Sequence, residues 1–244
     1  MKYKLTLCYD GGRYKGWQRQ KNIGNTIQGK VEDTLSRILG RQTEVAGCGR
    51  TDAGVHAKIQ ICSFTAETDM SCDEILDLLR KYLPEDIGAV SIEPAAPEFH
   101  ARLSCKEKTY VYRIWNSSAP NVFERKYAYT YPSKLDVDKM RDGAKLLMGT
   151  HDFSSFSSVK KAKKSTVRNI YDIEIEKRGG LITIAITGNG FLYNMVRIIV
   201  GTLIEIGNGS READSIVKIF ESNKRENAGF TAPANGLFLW NIEY

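Results

Sequence analysis

The sequence predicts an α+β fold made of two similar ferredoxin-like α/β halves, residues 1–104 and 105–244. The halves are expected to share an extended, mostly antiparallel sheet with a cleft between them. Three observations carry this expectation. Segments alternating at period two, such as "YKLTLCY" (residues 3–9), read as half-buried strands, and segments with an apolar stripe at helical spacing lie between them. The first half runs β-α-β-β-α-β. The second half follows a similar order, although no sequence repeat is visible.

The elements follow in turn. After the first strand comes a glycine-rich loop, "YDGGRYKGWQRQ". Ile27, Val31, Leu35, Ile38 and Leu39 share one face of a helix over 26–39, which Gly40 can stop. Strands are expected near 43–47 and 58–65. Ser71 and Glu74 stand at capping-box spacing and open a helix that buries Ile75, Leu78, Leu79 and Tyr82 before Pro84. A strand near 87–93 closes the first half. The second opens with the aromatic strand "KTYVYRIWN" (108–116). Val137, Met140, Ala144 and Leu147 then mark a helical face ending at Gly149. "VRNIYDIEIEKRGGLITIAITG" reads as a hairpin turning at Arg178 to Gly180. Helices over about 191–206 and 211–221 and a closing strand, "GLFLWNIEY", complete the chain.

With 244 residues and 42% hydrophobic content, the chain can bury a sizeable core. It has no apolar run of bilayer-spanning length, and its N-terminus alternates where a signal-type block would be continuous, so a cytoplasmic location is expected. The five cysteines (Cys8, Cys48, Cys62, Cys72, Cys105) include no C-x-x-C pair, which supports neither a disulfide framework nor a zinc knuckle. His56, His100 and His151 lack metal-ligand spacing. A net charge of +6 favours a polyanionic partner. Charge concentrates in "VKKAKKSTVR" (159–168), which makes Lys160, Lys161, Lys163, Lys164 and Arg168 candidate RNA contacts. The adjoining "HDFSSFSS" offers aromatics and hydroxyls suited to stacking and phosphate contact.

The chemistry-bearing stretch is "GCGRTDAGVHA" (47–57), where Asp52 stands among glycines between an arginine and a histidine. Most aspartates between glycines only cap turns. No G-x-x-x-x-G-K-[ST] phosphate cradle is present, no second acid forms a glycosidase pair, and no Ser-His-Asp set can be nominated. Arg197 lies in the nearly all-apolar "FLYNMVRIIVGTLIEI". Two placements suit it: an exposed stripe with Tyr193 and Asn194, or a cleft-facing position holding the Asp52 carboxylate ionised and oriented. One activated aspartate in a basic, aromatic-lined cleft is the reading that remains.

Together with "TIQGKVEDTL", "GTHDFSSF", "GNGFLYNMVRIIVG" and the terminal "TAPANGLFLW", these motifs resemble the tRNA pseudouridine synthases of the A family nearly end to end. Two departures are small: the lysine richness of 159–165, and Ile198 after Arg197, where the family often has a polar residue. The resemblance implies isomerisation of uridine to pseudouridine in the tRNA anticodon stem-loop, at tRNA positions 38–40. It implies a homodimer working without metal or organic cofactor. Asp52 matches the catalytic aspartate, Tyr110 the active-site tyrosine and Arg197 the carboxylate partner. Arg50 matches an arginine associated with the flipped nucleotide, and Leu237 an apolar wall of the uracil pocket. The glycines near Asp52 would let the RNA backbone approach. Whether the carboxylate attacks the ribose or removes a sugar proton stays open. A non-catalytic basic RNA-binding protein and a nucleoside hydrolase are the rival classes.

Overall fold

The computed structural model describes residues 1–22, 24–159 and 165–244. In chain order the elements are β1 (Lys2–Tyr9), α1 (Ile27–Leu39), β2 (Ala46–Gly47), β3 (His56–Thr65), α2 (Cys72–Tyr82) and β4 (Ile87–Ala95). They continue with β5 (Glu107–Trp115), β6 (Tyr129–Thr130), α3 (Val137–Leu147), β7 (Gly149–Asp152), β8 (Val167–Arg178), β9 (Leu181–Gly188), α4 (Met195–Gly207), α5 (Ser215–Ser222) and β10 (Leu237–Glu243). The chain is α+β, in two compact units: Met1–Lys106 with Phe238–Tyr244, and Glu107–Leu237. The closing strand thus joins the first unit.

In the first unit the strand order is β4-β1-β3-β10, with β2 a short addition to β3. β1 is antiparallel to both β3 and β4, whereas β10 runs parallel to β3 through Phe238↔His56 and Leu239↔Ala57. Alternation along β1 buries Tyr3, Leu5, Leu7 and Tyr9, as its period-two pattern requires. Thr26 caps α1 by accepting from Gly29 N–H at 3.3 Å, and Gly40 ends it in the left-handed conformation at φ 68°. α2 carries the complete Ser71–Glu74 capping box. Ile75 and Leu79 are buried there, Leu78 is half-buried and Tyr82 is exposed. The helix ends at Tyr82, and Leu83 takes the inward place while its N–H bonds to Leu79 C=O. The Tyr82 ring instead lies against the Arg37 guanidinium, 4.6 Å from the ring centre.

In the second unit the order is β5-β9-β8-β7, every neighbouring pair antiparallel, with β6 running parallel to β5. The β8–β9 hairpin turns through Gly179 at φ 59°. α3, capped by Asp136 accepting from the Asp138 and Lys139 N–H groups, packs on α4 and β8. α4 is buried almost all round, and it begins four residues later than its apolar pattern predicts. Asn194 adopts φ 61°, a left-handed conformation that no α-helix interior accepts.

The "HDFSSF" segment departs from its expected role. Phe153 and Phe156 are fully buried and cluster with Phe220 of α5 at 5.3 Å each, and His151 stacks on Phe220 at 4.5 Å. Ser155 is also buried, its hydroxyl donating to Ile219 C=O at 2.9 Å. These aromatics are core. Alternating Phe and Ser resembles a wet surface in sequence, but each serine finds a backbone or side-chain partner that permits burial.

The segment Gly229–Ala232 crosses α4 at backbone contact. A Cβ on Gly201 would stand 1.8 Å from Phe230 C=O, and one on Gly229 2.6 Å from the Thr202 backbone. Thr202 Oγ1 accepts from Gly229 N–H at 2.9 Å and fixes the crossing. Gly201→Ala should therefore cost about 2 kcal/mol or more in a urea titration, because the clash is with backbone that cannot rotate away. An unchanged midpoint would mean that the crossing is not tight.

Candidate active site

Asp52 lies in the loop from β2 to β3, and most of the loop's form comes from backbone bonds. Cys48 N–H bonds to Ile61 C=O at 2.7 Å, and Gln60 Nε2 donates to Gly49 C=O at 2.9 Å. The Thr51 hydroxyl shares a 2.8 Å hydrogen bond with the Tyr9 hydroxyl, and Thr51 C=O accepts from Trp17 N–H at 2.9 Å. Val55 N–H then closes a turn onto Asp52 C=O at 3.1 Å, with Gly54 at its third position and φ 80°. Exposure alternates through the approach: Arg50 exposed, Thr51 buried, Asp52 half-buried.

The glycine-rich stretch 10–17 lies against this loop. A Cβ on Gly11 would meet Val55 C=O at 1.9 Å, and one on Gly16 would meet Thr51 C=O at 2.7 Å. A Cβ on Gly47 would enter the Trp17 indole at 2.6 Å. Trp17 is buried and stacks on Tyr9, ring centres 6.2 Å apart. His56 is also buried: its Nδ1 lies 3.1 Å from the Gly11 nitrogen, whose N–H donates to it, and its ring stacks on Phe238 at 4.8 Å. The close approach at Gly11, Gly16 and Gly47 is therefore made by the protein's own backbone and indole. These three glycines serve the loop's construction.

The second unit holds Tyr110, Arg168 and Arg197. Tyr110 sits in β5 opposite Ile186, buried, with Phe191 edge-on at 5.1 Å. Phe191 follows Gly190, where a Cβ would come within 3.6 Å of Arg168 Nε. Arg168 is half-buried, and one Nη1 donates to Ser165 and Val167 C=O; desolvation lowers its pKa. Arg197 is the half-buried residue on the otherwise apolar first turns of α4. Its Nε donates to Ala232 C=O at 2.6 Å and its Nη1 to Asn194 Oδ1 at 3.0 Å, while Ala232 N–H returns to Arg197 C=O at 3.1 Å.

Behind Arg197 lies Tyr112, fully buried, its hydroxyl donating to Pro233 C=O at 2.7 Å. Burial pushes the Tyr112 phenol well up, partly offset by the Arg197 charge. Asn194, Ala232, Tyr112 and Phe191 are thus supports that sequence reasoning did not nominate. Asn194 in the "LYNMVR" run was the readable clue, since asparagine is the residue that takes φ > 0 most readily after glycine. Leu237 is buried at the start of β10. Lys160, Lys161, Lys163 and Lys164 fall outside the described residues. Among the described residues no group of three or more His, Cys, Asp or Glu could hold a metal ion, and no helix is long and apolar enough to cross a membrane.

An α+β chain that presents one carboxylate from a backbone-clamped loop has close relatives. A sequence model of the family described as tRNA pseudouridine synthase matches residues 7–104 and 144–244. The chain belongs to that family and is an isomerase. Among its relatives, tRNA pseudouridine synthase A 2 of Bacillus cereus is 47% identical over 242 residues, covering 99% of each chain. tRNA pseudouridine synthase A 1 of Clostridium tetani is 47% identical over 241 residues, 99% of this chain and 98% of its own. tRNA pseudouridine synthase A of Clostridium acetobutylicum is 44% identical at the same coverage. Among solved structures, a chain of a Cbf5–Nop10–Gar1 complex aligns with 83% of this chain and 45% of its own, at 15% identity and TM-score 0.37.

Gly16→Ala places a methyl at φ 93° and against Thr51 C=O. It should lower stability by more than about 1 kcal/mol from backbone strain alone, read in urea. A wild-type midpoint would show that the two loops do not depend on each other.

Proposed function

We propose that this chain converts uridine to pseudouridine in the anticodon stem-loop of tRNA, at tRNA positions 38–40, with Asp52 as the catalytic group. The observation that carries the reading is the setting of Asp52: half-buried, at the first position of a tight turn, in a loop held by backbone bonds on both sides. Such a carboxylate presents its charge without conformational search.

The reaction breaks the bond from N1 to C1′ and joins C5 to C1′; the C5 hydrogen leaves to a base and N1 gains a proton. The target base must first leave its stack, at a cost of a few kcal/mol. Asp52 acts at the ribose, as nucleophile on C1′ or as base for a sugar proton, and both routes need the ionised carboxylate. Tyr110 offers uracil an aromatic face and a phenol oxygen near C5. Arg197 takes the role of the family's carboxylate partner, with its fork oriented by Ala232 and Asn194. Exposed Arg50 attends the flipped nucleotide, and Leu237 forms an apolar wall of the uracil pocket. Arg168 and the lysine-rich stretch contact phosphate. The enzyme works as a homodimer in the cytoplasm, without metal or organic cofactor.

Asp52→Asn keeps the shape and removes the charge. Single-turnover pseudouridine formation on a uridine-containing anticodon stem-loop should fall below detection, with affinity held within about tenfold, ~1.4 kcal/mol. A near-normal rate would remove Asp52 from the mechanism.

Neutralising Lys160, Lys161, Lys163 and Lys164 together should weaken tRNA binding and flatten its dependence on salt, because fewer counterions are released. An unchanged salt slope, measured by titration across ionic strengths, would assign those charges to solvent.

A further inference from the structure

We propose that Tyr9, Thr51 and Gln60 are positioning residues that set the direction in which Asp52 projects, a role resting on the assignment of Asp52 as the catalytic group. They grip the loop at the two positions that alternate with Arg50 and Asp52. The Gln60 amide holds Gly49 C=O at 2.9 Å, and the Tyr9 hydroxyl holds the Thr51 hydroxyl at 2.8 Å. All three side chains are buried. Holding Thr51 inward leaves its neighbours Arg50 and Asp52 as the more exposed positions of the loop, as their exposure shows.

The sheet is built to bring the two grips together. β1 and β3 pair with Leu7 opposite Gln60 and Tyr9 opposite Ala57, so two residues of β1 are matched by three of β3. This irregularity sits immediately below the loop, and bulges of this kind re-aim side chains beside sites. Leu7, Tyr9 and Gln60 share the buried face, which sends a phenol and an amide to the underside of residues 49–51. A phenylalanine would fill the Tyr9 site as well for packing alone. Burial also pushes the Tyr9 phenol well above its ordinary range, so it stays a neutral hydroxyl partner wherever the enzyme works.

The test uses the full chain with uridine-containing tRNA and measures three quantities for each variant: single-turnover rate, tRNA affinity and urea midpoint. Tyr9→Phe and Thr51→Val should each lower the rate by about tenfold to a hundredfold, as expected for ~1 Å misplacement of a reacting group, with affinity nearly unchanged. Thr51→Ser keeps the hydroxyl and should recover most of the rate. The Tyr9→Phe/Thr51→Val double variant should be no slower than Thr51→Val, since both remove one bond.

Wild-type rates in Tyr9→Phe and Thr51→Val overturn the proposal. So do a loss confined to affinity, a loss that tracks only the fraction unfolded, and fully additive effects in the double variant. Asp52→Asn is run beside them. If it is inactive while the brace variants are normal, the brace alone fails; if it is active, the assignment of Asp52 fails and the brace with it.

Discussion

Two stretches of backbone in the first unit lie closer together than any side chain would allow, and the form of the Asp52 loop depends on that approach. Gly11 faces the Val55 carbonyl, and Gly16 faces Thr51. The contact lets Trp17 N–H reach Thr51 C=O and brings the indole over Gly47, where it stacks on Tyr9. Tyr9 in turn bonds to Thr51. The circuit closes on one residue, so the loop next to the carboxylate is fixed by packing, backbone bonds and a buried hydroxyl pair at once. A methyl group at either glycine would open the circuit.

The second unit uses the same device around its arginine. Gly201 admits the Phe230 carbonyl onto α4, and Thr202 ties Gly229 beside it. The chain then meets Arg197 at Ala232, Tyr112 at Pro233 and, through Asn235 Nδ2, the Ala128 carbonyl before reaching Leu237. With Nε on Ala232 and Nη1 on Asn194, the plane of the guanidinium is set by its own unit. A lysine ammonium is a compact charge with three rotatable donors and does not reproduce this rigid planar fork. Arg197 therefore shapes the 231–236 turn as well as carrying charge.

Local signals in the sequence translated well, because their partners lie within a few residues. The Ser71–Glu74 box, the Gly40 stop of α1 and the β8–β9 hairpin all stand where spacing placed them. Periodicity could not show that β10 leaves the second half to run parallel to β3, since strand pairing over nearly two hundred residues leaves no local trace. It also could not separate the wet aromatics from the dry ones. Phe153 and Phe156 entered the core because Phe220, far along the chain, completes their cluster. Asp52 and Arg197 were legible as misfits, each in its own unit: a carboxylate among glycines, a guanidinium among aliphatics. The residues bonded around them were not, because Ala232, Tyr112 and Gln60 look ordinary until geometry brings them close to Arg197, to Pro233 and to Gly49.

That contrast divides the "GRTDAGVH" run into two kinds of residue. Thr51, Gly54, Val55 and His56 bond or pack against their own unit: to Tyr9, into a turn, against Gly11 and onto Phe238. Arg50 and Asp52 are the charged positions left on the outer side of the alternation. Most of the run is therefore constrained by the protein's interior, and a small part by whatever the loop meets. Substitutions at Thr51 or His56 act first on contacts inside the unit, the Tyr9 hydroxyl for one and Gly11 and Phe238 for the other. Most letters of this motif thus specify a bend, and only two of its charged residues lie on the bend's outer side.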